Sequence, residues 1–91
     1  LPDLNGRYQI LKIYTNKVKC GPDVDLNRLA RGTPMFSGAD LAALVNEAAL
    51  HAAKMGKDRV GMADHDAVAD AWERAGGDVS VVALLLEQLS I

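Results

Sequence analysis

Cysteine occurs once in this 91-residue chain, at Cys20. A single thiol excludes an internal disulfide and a cysteine-based zinc cage. No histidine stands beside it in the sequence to activate it, and such sparing use of cysteine fits a reducing compartment. Aromatic side chains are equally scarce, at 4% of the chain. Sheets draw on aromatic and β-branched residues, whereas the Ala and Leu that dominate here favour helices. There is no excess of positive charge: ten Lys and Arg face twelve Asp and Glu, for a net charge of −2. The basic residues are also scattered, so the electrostatic footprint of a nucleic-acid module is missing. The longest apolar run, residues 81–86, is far short of the ~20 residues that span a bilayer. Residues 1–10 hold an early acid and no basic region before an apolar stretch, unlike a secretory signal.

Helical periodicity is what the chain does have. Leu1-Pro2-Asp3 reads as an opening turn with Asp3 as N-cap. Leu4, Tyr8, Leu11, Ile13, Tyr14 and Val18 then recur at helical spacing, predicting a first helix to about Lys17. Lys19-Cys20-Gly21-Pro22 breaks it. Asp23 or Asp25 can cap a short second helix carrying Val24, Leu26, Leu29 and Ala30. Ser37 with Asp40 three residues on forms a capping box, and Phe36 with Leu41 has the spacing of a hydrophobic staple. Leu41, Leu44, Val45, Ala48, Ala49 and Ala52 follow on one face, so a third helix is predicted over residues 38–55, closed by Gly56. A short link, residues 57–61, precedes a fourth helix over Met62–Arg74 with Met62, Val68, Ala69 and Trp72 as its apolar members. Gly76-Gly77 ends it. Val79–Leu89 carries seven large apolar residues on nearly every side; its length and leucines favour helix, its valines leave a buried strand open.

The third helix starts on the three smallest side chains available, Ser37, Gly38 and Ala39. Either small residues let the turn pack tightly, or they clear space for a flat, anionic ligand at the helix start, where unpaired N–H groups gather. Asp64-His65-Asp66 with His51 has the residue types of a metal site. Adjacent residues on a helix point apart, however, so the three cannot converge on one ion, and they read as an acidic helix start that complements the dipole. Asn46-Glu47 read as the polar flank of the third helix.

The stretches LPDLNGRYQILKIY and PDVDLNRLARGTPMFSGADLAALVNEAALHAA resemble the helical lid subdomain of AAA ATPases, and most of all that of FtsH-type ATP-dependent zinc metalloproteases. The resemblance runs from Leu1 to about Val68. It implies an all-α, four- to five-helix lid-type bundle over residues 1–75, with a divergent apolar helix over 76–91 that either completes the same domain or mediates association. It implies that Leu1-Pro2-Asp3 lies at the hinge to a large AAA subdomain, and that Gly38 and Ala39 lie beside the adenine and ribose of ATP. Tyr14 stands where bacterial relatives usually carry histidine near the adenine; it is either such a neighbour or a half-buried core residue.

The resemblance further implies a parent that uses ATP, magnesium and zinc. That parent would work as a hexamer, with the lid touching the large AAA subdomain and neighbouring subunits on the cytoplasmic or organelle-matrix side of a membrane. The segment itself is expected to hold no cofactor and to make no contact with nucleic acid or membrane. It contains neither GxxxxGK[ST] nor HExxH, so alone it is expected neither to hydrolyse ATP nor to cut peptides. From about Asp70 onward the chain departs from the family pattern; a boundary of the segment, an altered reading frame or true divergence would each produce that. The rival reading is a non-enzymatic interaction module that associates, with itself or a partner, through Val79–Leu89.

Overall fold

Residues 1–89 are described by the computed structural model. Five helices follow in order: α1 (Leu4–Thr15), α2 (Leu26–Arg31), α3 (Gly38–Lys54), α4 (Met62–Arg74) and α5 (Val79–Leu89). There is no named strand among the described residues; one isolated parallel bridge joins Cys20 to Val60. α5 is therefore a helix, and the buried-strand alternative does not arise.

Each helix begins where a short polar side chain answers amides that lack an intrahelical partner. Asp3 accepts from the Gly6 amide at 2.8 Å. Asp25, rather than Asp23, caps α2 by accepting from the Arg28 amide at 3.1 Å. At α3 the capping box is complete: the Asp40 amide donates to Ser37 Oγ at 3.1 Å, and the Ser37 amide to Asp40 Oδ2 at 3.0 Å. Asp78 accepts from the amides of Ser80 and Val81 at the start of α5. α4 is capped differently. Its N-cap, Gly61, has no side chain to offer, and Asp23 reaches across from the α1–α2 link to accept from the Met62 amide at 3.0 Å. The residue passed over as cap of α2 thus caps α4.

The ends are set by glycine where the backbone turns left-handed: Gly56 (φ 72°) follows α3, and Gly76 and Gly77 (φ 65° and 84°) separate α4 from α5. α1 stops at Thr15, two residues short of the predicted end, and the buried Thr15 hydroxyl donates back to the Leu11 carbonyl at 2.8 Å. The link before α4 is more than a connector. The Gly21 amide donates to the Val60 carbonyl and the Val60 amide to the Lys19 carbonyl, both at 2.8 Å, so the two loops on this side are tied together.

Around α3 the others assemble: α1 packs on α2 and α3, α4 on α3 and α5, and α5 touches α3 as well. Leu41, Leu44, Val45, Ala48 and Ala52 of α3 are buried, as the periodicity requires, beside Leu11, Leu29, Val68, Val82 and Leu86. Each such Val or Leu contributes roughly 1.5–3 kcal/mol of transfer free energy. Not every predicted apolar position turns inward, since Leu4 and Ile13 of α1 are 48% and 56% exposed. α4 buries Met62, Val68 and Trp72 as expected, and also His65 and Ala71, which the apolar pattern passes over. The Phe36 ring packs against Trp72, centroids 4.9 Å apart. On α5, Val82 and Leu86 are buried while Val79, Val81 and Leu84 face outward.

Candidate functional site at the start of α3

At the start of α3 the sequence places its smallest side chains, and the fold leaves them open. Ala39 is exposed and Gly38 half-buried. A Cβ added at Gly38 would meet only Ile10 Cδ1, at 3.9 Å, an ordinary van der Waals distance. The backbone there is not left-handed either, for the positive-φ glycines are Gly56, Gly76 and Gly77. Neither turn geometry nor packing within the described residues calls for glycine at position 38.

Two amides are on offer at this edge. Asp40 N–H is taken by Ser37 Oγ and Leu41 N–H by the Ser37 carbonyl. Those of Gly38 and Ala39, at the first two helical positions, have no partner among the described residues. The Asp40 carboxylate, locked against the Ser37 amide, puts a negative charge on the same turn. A phosphate would meet that carboxylate, whereas a neutral acceptor such as a sugar hydroxyl or a ring nitrogen would not. Two free amides beside a carboxylate suit a neutral acceptor better than an anion.

Tyr14 belongs to the same region of the fold. It lies one helical turn beyond Ile10, on the same face of α1, and Ile10 is the neighbour of Gly38. The Tyr14 ring is half-buried and packed against the core, and Lys17 Nζ lies 5.0 Å from its centroid, within cation–π range. Its surroundings include both core and a charged, open side. One surface groove of about 360 Å³ borders this edge through Phe36 and Asp40 and runs on to Trp72 and Glu73; another, of about 320 Å³, runs between α1 and α2, lined by Leu4, Tyr8, Asn27 and Arg31 among others.

A second polar centre lies where α3, the 55–61 link and α4 meet. Asp64 is fully buried, and its carboxylate accepts from three groups: His51 Nδ1 at 2.7 Å, Lys57 Nζ at 3.0 Å and the Gly61 amide at 2.8 Å. Burial alone would raise the Asp64 carboxyl, but these donors outweigh it and hold the group below its ordinary value. Asp66 turns the other way and pairs with Arg28 at 2.8 Å on the surface. His65, between them in sequence, is buried as well. Asp64 holds its expected place in the first turn of α4, where it accepts from the Gly61 amide, and it is in addition an internal hub. A carboxylate three residues after a helix-opening glycine is half a capping box, and that spacing is the signal that marks it. Among the described residues no group of three or more His, Cys, Asp or Glu is arranged to hold a metal ion. Cys20 has its thiol pushed up, by burial first and then by Asp23, which keeps it in the unreactive protonated form.

Comparison with known proteins adds the context. A family model described as the AAA+ lid domain matches residues 23–67. The ATP-dependent zinc metalloprotease FtsH of Cupriavidus metallidurans is 59% identical over 70 residues, covering 77% of this chain and 11% of that protein. FtsH of Burkholderia pseudomallei is 58% identical over 69 residues, 76% of this chain and 10% of the relative. FtsH 2 of Methylacidiphilum infernorum is 56% identical over 70 residues, 77% and 11%. The chain spans about a tenth of the length of these curated relatives.

Proposed function

The chain belongs with the AAA+ lid domains, in a form similar to the lid of FtsH, and from that premise we propose that it closes over ATP held by a large AAA subdomain. The observation that carries this reading is the unexplained glycine. Gly38 is not needed by its own fold, so its small size is accounted for by something that approaches α3 from outside. The free amides of Gly38 and Ala39 and the open side of Tyr14 suit the base and sugar of a nucleotide. The Asp40 carboxylate turns phosphates away, toward the other subdomain.

In this reading residues 1–75 are the lid proper and 76–91 an appended apolar segment that carries α5. Rotation about Leu1-Pro2-Asp3 couples nucleotide state to the pulling of substrate in a hexameric, membrane-anchored parent that works on the cytoplasmic or organelle-matrix side. The residues of this chain fit only the adenine and ribose side of the nucleotide. Magnesium and zinc would be held by other parts of that parent, where zinc supplies the peptide-bond hydrolysis named for the relatives. Among the described residues no helix is long and apolar enough to cross a membrane. The outward side of α5, with Val79, Val81 and Leu84, is the surface on which a second copy of the isolated chain would associate.

The test is photolabelling. This chain would replace the matching residues of Cupriavidus metallidurans FtsH, and the assembled chimera would be irradiated with an azido-adenine nucleotide. Label on peptides carrying Tyr14 or residues 37–39 supports the reading. Label confined to the large subdomain in an ATPase-active chimera contradicts it.

A further inference from the structure

His65 lies wholly inside the fold, in the first turns of α4, and neither of its ring nitrogens has a hydrogen-bond partner among the described residues. Buried polar atoms are nearly always paired, so an imidazole with two orphan nitrogens is an exception that asks for a reason. The negative charges of Asp64, Asp66 and Asp23 act on the ring, and each carboxylate is already committed. Asp64 is occupied by His51, Lys57 and the Gly61 amide. Asp66 is held by Arg28 of α2 at 2.8 Å. Asp23, on the link before α2, caps the Met62 amide.

A neutral ring fills this space as an aromatic side chain would. A charged one finds no hydrogen-bond partner among the described residues as they stand. Burial accordingly pushes the His65 ring below its ordinary value, and the pull of Asp64, Asp66 and Asp23 only partly offsets this.

We propose that His65 is an acid-operated release for the corner where α2, the 55–61 link and α4 meet. Once the ring takes a proton, it can be satisfied only by drawing Asp23, Asp64 or Asp66 off its present partner, or by letting water in. The first course breaks the long-range cap of α4, the buried hub or the Arg28 pair. The second opens the first turn of α4. Because His51 ties the end of α3 to the same hub, the loosening reaches the central helix.

The direction with pH follows from proton counting. The unfolded chain binds a proton at His65 near the ordinary value of 6.5, while the folded chain resists it. Stability is whole above that pH and falls as pH drops below it. The loss approaches tenfold in the folding constant per pH unit, until the folded ring itself titrates. Asp64 acts in a separate window, below its ordinary 3.8.

Urea denaturation of the 91-residue chain from pH 8 to pH 5, run beside ring NMR of the same protein, tests this. The expected result is a folding constant that declines below about pH 6.5, a decline abolished in His65→Phe and retained in His51→Gln. In the wild-type chain the His65 ring should stay neutral well below pH 6.5 while the fold persists. Should His65→Phe fail to fold, that ring titration decides alone. A folded-state His65 titrating near 6.5, or a decline that survives His65→Phe, overturns the proposal.

Discussion

Asp64 and His51, thirteen residues apart in sequence, meet at 2.7 Å in the interior between α3 and α4. The Asp64 carboxylate is fully buried, with Lys57 closing its other oxygen at 3.0 Å. Replacing Asp64 with Ala strands the His51 ring, the Gly61 amide and the Lys57 ammonium at once. Lys57 is 41% exposed and can turn to water, which softens the loss. The expected cost is about 2 kcal/mol, or a fall in Tm on the order of 10 °C for a chain of this size. Asp64→Asn should recover part of it. The wild-type protein should also lose stability as pH falls below about 3.8 and through the lower folded value of Asp64, a limb missing in the Asn variant. Calorimetric melts between pH 5 and pH 2.5 check both statements.

Met35 is the single described non-glycine residue with positive φ, at 69°, and the residue is 77% exposed. A side chain in the left-handed region costs roughly 1–2 kcal/mol, and glycine returns some of that as chain entropy. Met35→Gly should therefore raise stability by about 0.5–1 kcal/mol. Met35→Val, branched at Cβ, should lower it. Two urea titrations against wild type decide the matter, and equal stability of all three would remove the strain argument.

The C-terminal helix divides by face. Val82 is fully buried, so Val82→Ala should cost about 2 kcal/mol. Leu84 is 59% exposed, and Leu84→Glu should shift stability by less than about 0.5 kcal/mol while reducing self-association. Leu85 is half-buried against the core, so a charge there would disturb the fold as well as the outward face. Sedimentation at rising concentration measures this: the wild-type chain should associate and the Leu84→Glu chain should not. A wild-type monomer at hundreds of micromolar would show that the outward face of α5 has no affinity for its copy.

The isolated chain should bind ATP weakly. It presents two free amides and one half-buried ring and contains no phosphate loop, the element that supplies most phosphate contacts in such ATPases. Titration with ATP and magnesium, followed by NMR, should give no saturation below millimolar nucleotide. Saturation at low micromolar would mean that the lid carries phosphate contacts of its own.

Helix positions were legible wherever a local rule decides them. Ser37 and Asp40 announce the start of α3, Gly56 its end, and Met62–Arg74 was bounded by glycines on both sides. The family resemblance rested on two stretches, residues 1–14 and 22–53. What the sequence hid were the long-range polar choices. Asp23 and Asp25 are equally good caps for α2 by local pattern, and only the approach of Met62 from 39 residues away separates them. Asp64 and Asp66 look alike in sequence, yet one is buried and one paired with Arg28 at the surface, because adjacent helical positions face different neighbours. Ile13 reads as apolar stripe and faces out, since α1 shares only part of its circumference with α2 and α3.

The central claim is that Gly38 is kept small for a nucleotide and not for the fold, and Gly38→Leu tests it most directly. The added side chain starts 3.9 Å from Ile10 Cδ1, in ordinary contact, so the isolated chain should keep its Tm within a few degrees. In the Cupriavidus metallidurans FtsH chimera the same change should cut ATPase activity per folded molecule at least tenfold. A sharp fall in Tm with unchanged ATPase activity would make Gly38 a packing residue and contradict the account.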